Sequence, residues 1–201
     1  GTLLNVNNNL TISNGTNLDV STGNYAITVG GNWTNTGTFT PRSGSVTFNG
    51  TALQTIAGGP FYDLNINGNS TKQLNTGINV NRHLTIGAGI SNTLAAGNND
   101  VYVGGNWINN STNGLGGFSQ GIANYTYFTG GNQTVDNGTQ ETTWQNLTLM
   151  GTGTKTWGGS WAGISTINGT LTVNSTVGAI NFINKSLQGS GTNIFEILGS
   201  P

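Results

Sequence analysis

The sequence predicts an all-β protein folded as a parallel β-solenoid, and three observations carry that expectation. Short apolar-polar-apolar triplets recur along the chain, Gly and Asn crowd the stretches between them, and a long internal repeat runs through the pattern. Each triplet alternates with period two and is bounded by turn residues, as a short half-buried strand is. Good helix formers are scarce and no apolar stripe at 3.6-residue spacing persists for more than a turn.

The elements follow in order. Leu10-Thr11-Ile12 opens the series, and Ile27-Thr28-Val29 comes next, ahead of Gly30-Gly31-Asn32-Trp33. Val46-Thr47-Phe48 and Leu64-Asn65-Ile66 continue it. Leu84-Thr85-Ile86 then repeats the first triplet and Val101-Tyr102-Val103 the second, again ahead of Gly-Gly-Asn-Trp, both at a shift of 74 residues. Tyr125-Thr126-Tyr127, Leu147-Thr148-Leu149 and Leu171-Thr172-Val173 complete the set. The shift grows to 79 at Gln54 and Gln133, 83 at Lys72 and Lys155, and 87 at Leu84 and Leu171, so the second unit carries about 13 extra residues, mostly within 109–123. Insertions that leave the flanking pattern intact belong in loops. With one triplet per turn, the steps of 17 to 24 residues set the coil length. The expected organisation is a single β-solenoid domain over 1–201, with units of about 3–73, 74–161 and a partial 162–201. The rival architecture is one or two β-sandwich domains, which also alternate short strands with Gly-rich turns.

Composition narrows the function. The 201 residues include 34 Gly, 32 Asn and 32 Thr, yet only five Lys plus Arg, six Asp plus Glu, one His and no Cys, for a net charge of -1. A chain with 5% charged residues has no basic surface for nucleic acid. No apolar run approaches the roughly 20 residues of a spanning helix, so no membrane span is expected. Residue 1 is Gly with no charged and apolar leader behind it, which reads as a processed chain or an excerpt. No phosphate loop and no calcium-binding Asp at fixed offset from the Gly-Gly pairs is present, and no cofactor is expected.

Four stretches carry a family resemblance. Gly31-Asn32-Trp33-Thr34-Asn35-Thr36-Gly37-Thr38-Phe39-Thr40-Pro41, followed by Gly44-Ser45-Val46-Thr47-Phe48-Asn49-Gly50-Thr51, Gln54-Thr55-Ile56 and Phe61-Tyr62-Asp63-Leu64-Asn65-Ile66, is similar to the repeat regions of very large secreted surface proteins of Bacteroidota-type bacteria. The match is best over 1–75. The resemblance implies a secreted, surface-exposed, repetitive β-helical stalk or adhesin.

Stacked triplets generate candidate columns. The middle residues point outward and are mostly Thr: Thr11, Thr28, Thr47, Thr85, Thr126, Thr148 and Thr172, interrupted by Asn65 and Tyr102. Such a ladder suits a wetted strand surface, and in a flat array of two columns it would suit ice binding. The preceding residues place Asp63, His83 and Asp100 on successive coils, as an exposed charge ladder or as the germ of a metal or acid-base site. Trp33, Trp107, Trp144, Trp157 and Trp161 are candidate glycan-stacking aromatics, with corner plugs in the core as the alternative. Lys72 and Lys155 read as equivalent solvated corner charges. Fourteen Asn-x-Ser/Thr acceptors are present, twice the chance expectation of about seven, which makes glycosylation a candidate modification.

The remaining charges are scattered rather than gathered in one cleft, so no enzyme is expected. The leading expectation is a structural or adhesive extracellular repeat module of a surface fibre, filament or stalk. A carbohydrate-binding module or β-helical carbohydrate-active enzyme is the alternative, and ice binding is a third. The expected partners are further copies or repeats of itself, end to end, and surface polysaccharide. Leu3-Leu4-Asn5-Val6 opens directly on the repeat, in parallel with Ile78-Asn79-Val80, and Ile194-Phe195-Glu196-Ile197-Leu198 is strand-like, so continuation at both ends is expected.

Overall fold

The structure, a computed structural model, describes residues 3–138, 142–158, 165–167, 170–174, 177–182, 187–189 and 194–198. Among them the chain forms 26 strands and no helix, and every strand pairing is parallel. The fold is a β-solenoid. Universal parallel pairing excludes the sandwich alternative, whose sheets are antiparallel.

Each coil visits three faces in turn. The first face is a nine-stranded sheet built from Leu4–Val6, Ile27–Val29, Ser45–Phe48, Asp63–Ile66, Leu84–Ile86, Trp107–Asn109, Gln133–Asp136, Thr154–Gly158 and Ala179–Phe182. The second face runs from Leu10–Ile12 through Trp33–Asn35, Gln54–Ala57, Thr71–Leu74 and Thr93–Gly97 to Phe118–Gln120. Thr142–Trp144, Ser165–Ile167 and Leu187–Gly189 continue it as a separate sheet. The third face begins with Asn17–Asp19 and Thr38–Thr40 and resumes with Ile78–Val80, Val101–Val103, Tyr125–Phe128, Asn146–Leu149, Thr170–Asn174 and Ile194–Leu198. Between these two sheets only an isolated bridge, Phe61 to Val80, marks the third face of the third coil. Successive first-face rungs lie between 18 residues apart, Val46 to Leu64, and 28 apart, Trp107 to Val135. The longest step contains the loop at 110–117, where the sequence places much of the inserted length.

The nine triplets do not form one column. Leu10–Ile12 lies on the second face, the triplets at Ile27, Val46, Leu64 and Leu84 on the first, and those at Val101, Tyr125, Leu147 and Leu171 on the third. A sequence repeat therefore advances by three full turns and two faces, so the second unit is the first turned by one face of the prism. Leu10 on the second face corresponds to Leu84 on the first, Ile27 on the first to Val101 on the third, and Trp33 on the second to Trp107 on the first.

Inward positions build one core of Leu, Ile, Val, Phe and Trp, each worth roughly 1.5–3 kcal/mol when fully buried. Its densest parts are two aromatic clusters in equivalent places. Trp33 packs edge-on to Phe39 at 4.9 Å and tilted on Phe61 at 5.5 Å, with Phe48 at 6.2 Å. Trp107 meets Phe118 at 4.9 Å, Trp144 at 4.8 Å and Phe128 at 6.4 Å.

Glycine is required where coils meet at one corner of each unit. A Cβ on Gly50 would stand 2.3 Å from Gly30 O, and one on Gly130 would stand 1.8 Å from Gly104 O. No side chain fits between carbonyls stacked this closely. Gly130→Ala is therefore expected to lower stability by about 2–3 kcal/mol, while Gly114→Ala, whose Cβ meets nothing within 4 Å, leaves the denaturation midpoint unchanged.

Candidate functional site

The glycine corners leave a stack of buried backbone groups, and Gln and Lys side chains satisfy them. Gln54 and Lys72 have the same inward parity as Ile56 and Leu74, and both are buried. Gln54 Oε1 accepts from Gly50 N at 2.8 Å, while its Nε2 donates to Val29 O at 3.0 Å and to Gly31 O. Lys72 Nζ donates to Gly50 O at 2.9 Å and Ser70 Oγ at 2.5 Å. The second unit repeats the device. Gln133 links Gly130 N, Val103 O and Gly105 O, and Lys155 Nζ donates to Gly130 O at 2.6 Å, Gly131 O at 2.9 Å and Gln133 Oε1 at 2.6 Å. Lys72 and Lys155 are thus interior plugs with no exposed surface, not solvated corner charges. An unpaired cation is buried here because several carbonyl oxygens converge on it.

The expected Asp63-His83-Asp100 column is corrected by the register. Asp63 and His83 are neighbours on the first face, but Asp100 leads into the third. The residue after His83 in the column is Asn106. These side chains act as hydrogen-bond acceptors for the coil that follows: Asp63 Oδ1 takes His83 N–H at 3.1 Å, His83 Nδ1 takes Asn106 N–H at 2.9 Å, and Asn106 Oδ1 takes Thr134 N–H at 2.9 Å. The first unit has the same chain with Asn9, Asn32 and Thr55. His83 thus holds a position that Asn fills elsewhere. Other Asn side chains reach back to main-chain carbonyls one coil earlier, as Asn99 does to Leu74 O, Asn124 to Asn99 O and Asn146 to Asn124 O.

Charged groups also pair across coils. Arg42 Nε lies 2.5 Å from Asp19 Oδ1, and Arg82 makes a two-pronged contact with Asp63 while lying 4.8 Å from the Tyr62 ring centre. Partial burial pulls the Asp63 carboxyl upward, but Arg82 and the His83 N–H outweigh it and hold it below its ordinary range.

The tryptophans lie inside. Trp33, Trp107, Trp144 and Trp157 are buried to 1% exposure or less, so none offers a ring face to a sugar. Trp161 lies outside the described residues. The Thr column dissolves in the same way. Thr11 is on the second face, Thr28, Thr47 and Thr85 are on the first, and Thr148 and Thr172 are on the third. Thr126 pairs with Val101, faces the core and is fully buried. No more than two of the seven are consecutive on one face, which falls short of an ice-binding array. Of the glycosylation acceptors, Asn109, Asn124, Asn137 and Asn146 are buried, and Asn168 and Asn184 lie outside the described residues.

The outer surface holds one aromatic feature that the columns missed. Tyr102 and Tyr127, on adjacent rungs of the third face, stack with ring centres 4.4 Å apart and planes within 3° of parallel, and Tyr125 leans on Tyr127 at 5.8 Å. Beside Tyr102 is an open cleft of about 280 Å³ lined by Pro60, Asn79, Asn81, Tyr102 and Thr129 among others. The signal was present in Tyr125-Thr126-Tyr127, once a one-residue offset against Val101-Tyr102-Val103 is allowed. Comparison with family models, curated proteins and solved structures finds no match.

The buried lysines give the molecule an alkaline stability optimum. Burial pushes both ammonium groups down to about 8 from 10.5. The unfolded chain keeps these protons to about pH 10.5 while the folded chain releases them near 8, so stability rises with pH across that window. Tyr127 acts in the opposite sense. Burial, then the Asp100 carboxylate, push its phenol up to about 12, so stability falls once the unfolded phenol ionises near pH 10. Denaturation at pH 9.5 is expected to need about 2 kcal/mol more per lysine than at pH 7, and the Lys72→Met/Lys155→Met double variant is expected to lose that difference.

Proposed function

We propose that this chain is a rod segment of a secreted, surface-exposed stalk or fibre, continued by coils stacked on its first rung. The β-helical architecture supports a structural repeat module, and the carrying observation is the outer edge of the first coil. Leu4 N donates to Ala26 O and Val6 O accepts from Gly30 N, so the alternation of a parallel ladder aims the Asn5 N–H and C=O away from the stack. Around that edge Leu4, Val6, Leu10, Ile12 and Leu18 line an apolar trough of about 330 Å³, with Leu4 42% exposed. A further coil of the same build supplies both the missing hydrogen bonds and the apolar cover. The low net charge offers little repulsion between two such ends.

The charges support a non-enzymatic reading. Asp19 and Asp63 are engaged by Arg42 and Arg82, and Lys72 and Lys155 by interior oxygens. The resemblance of residues 1–75 to bacterial surface repeats supports the location.

Asn5→Pro tests the assembly, since it removes an N–H only from the open edge and leaves every internal bond in place. Sedimentation at rising concentration is expected to show end-to-end oligomers of the natural chain and a monomeric Asn5→Pro variant. A natural chain that stays monomeric at millimolar concentration contradicts the proposal. For location, antibodies to the chain are expected to label intact source cells, and labelling only after permeabilisation contradicts a surface site.

A further inference from the structure

We infer that the cleft beside Tyr102 is a saccharide subsite that takes a pyranose ring of a neutral polysaccharide. Tyr127 covers one face of the Tyr102 ring, and the parallel stack turns the other face toward the preceding rung, whose outward residue is Asn79. Asn is much smaller than Tyr, and the space it leaves is the cleft of about 280 Å³. The free ring face forms one wall and Pro60 adds apolar surface. Asn79 and Asn81 are exposed and, among the described residues, their side-chain amides have no intramolecular hydrogen-bond partner. A sugar ring needs this pairing of an apolar platform for its C–H face with amides that both donate and accept toward its hydroxyls.

The platform is held in place from behind and from its tip. Tyr127 backs the ring, and the Tyr102 hydroxyl donates to Asp100 Oδ2 at 3.4 Å. The charge beside the site is the Asp100 carboxylate, and the cation next in sequence, Arg82, is engaged by Asp63 and Tyr62. That balance disfavours an acidic glycan. The fold itself does not require tyrosine here. The outward first-unit residues equivalent to Tyr102 and Tyr127 are Thr28 and Thr47, adjacent on the first face with the same backbone pairing. The aromatic pair is an addition to the framework, made where a cleft adjoins it.

This inference stands apart from the rod reading, since a monomer that binds glycan and a fibre that does not are separable outcomes. The test is affinity electrophoresis of the natural chain through soluble glucan, mannan, galactan and xylan, with polygalacturonate as the acidic control. At least one neutral polymer is expected to retard it. Tyr102→Thr, which installs the first-unit residue and keeps the fold, is expected to weaken that retardation at least tenfold, Asn79→Ala severalfold, and Tyr102→Phe less than threefold. Thr28→Ala on the first face is expected to change nothing. No retardation by any neutral polymer, retardation by polygalacturonate alone, or retardation indifferent to Tyr102→Thr overturns the inference.

Discussion

Backbone approach at the glycine corners is the constraint on which the remaining structure depends. Parallel strands stack about 4.8 Å apart, and at Gly50 and Gly130 the chain passes so near the carbonyl of the coil before it that no Cβ fits. Such packing brings several main-chain oxygens and N–H groups together away from water, where each must find a partner. Gln54 with Lys72, and Gln133 with Lys155, are that provision. The corner thus explains why a chain this poor in charge places two of its few cations in its interior.

A second consequence follows from coil geometry. The corner, its Gln-Lys plug and its aromatic cluster recur as a set, but one face further round in the second unit. In the first unit the plug residues reach the corner between first and second faces, and in the second unit the corner between third and first. The Asn9-Asn32-Thr55 chain and its counterpart His83-Asn106-Thr134 move with it. Surface features carried by a unit therefore precess around the rod, which gives the third face its Tyr102-Tyr127 pair where the first face has Thr28-Thr47.

Much of this was legible in the sequence. The period-two triplets and the corner glycines specify strands and turns, because each is a local property, and their recurrence coil after coil, with the longer repeat at 74 to 87 residues, specifies parallel stacking. The assignment of triplets to faces was not legible, since the periodicity records recurrence but not how many faces separate two recurrences. That one gap misplaced Asp100 and joined three half-columns of Thr into one, while the one-residue offset of Tyr125-Thr126-Tyr127 against Val101-Tyr102-Val103 is what turned Thr126 outward. Lys72 was misread for a different reason. Its parity with Leu74 pointed inward, but charge argued for solvent, and only the carbonyls of Gly50 in the preceding coil and of Ser70 two residues before it make burial tolerable. Trp107 and Trp144 are similar, since nothing local separates a corner plug from an exposed platform.

The three-faced solenoid is defined by which rungs are neighbours, and a chain without cysteine makes that directly measurable by disulfide formation. Adjacent parallel rungs stand about 4.8 Å apart, inside the Cα separation that a disulfide spans, whereas residues on different faces are far outside it. A Thr85→Cys/Ile108→Cys variant, adjacent on the first face, is expected to form an intramolecular disulfide on mild oxidation, and Thr85→Cys/Tyr102→Cys, on the first and third faces, is expected not to. The reverse outcome, with Thr85 bridging to Tyr102 and not to Ile108, would contradict the three-faced register and the rotation of the second unit with it.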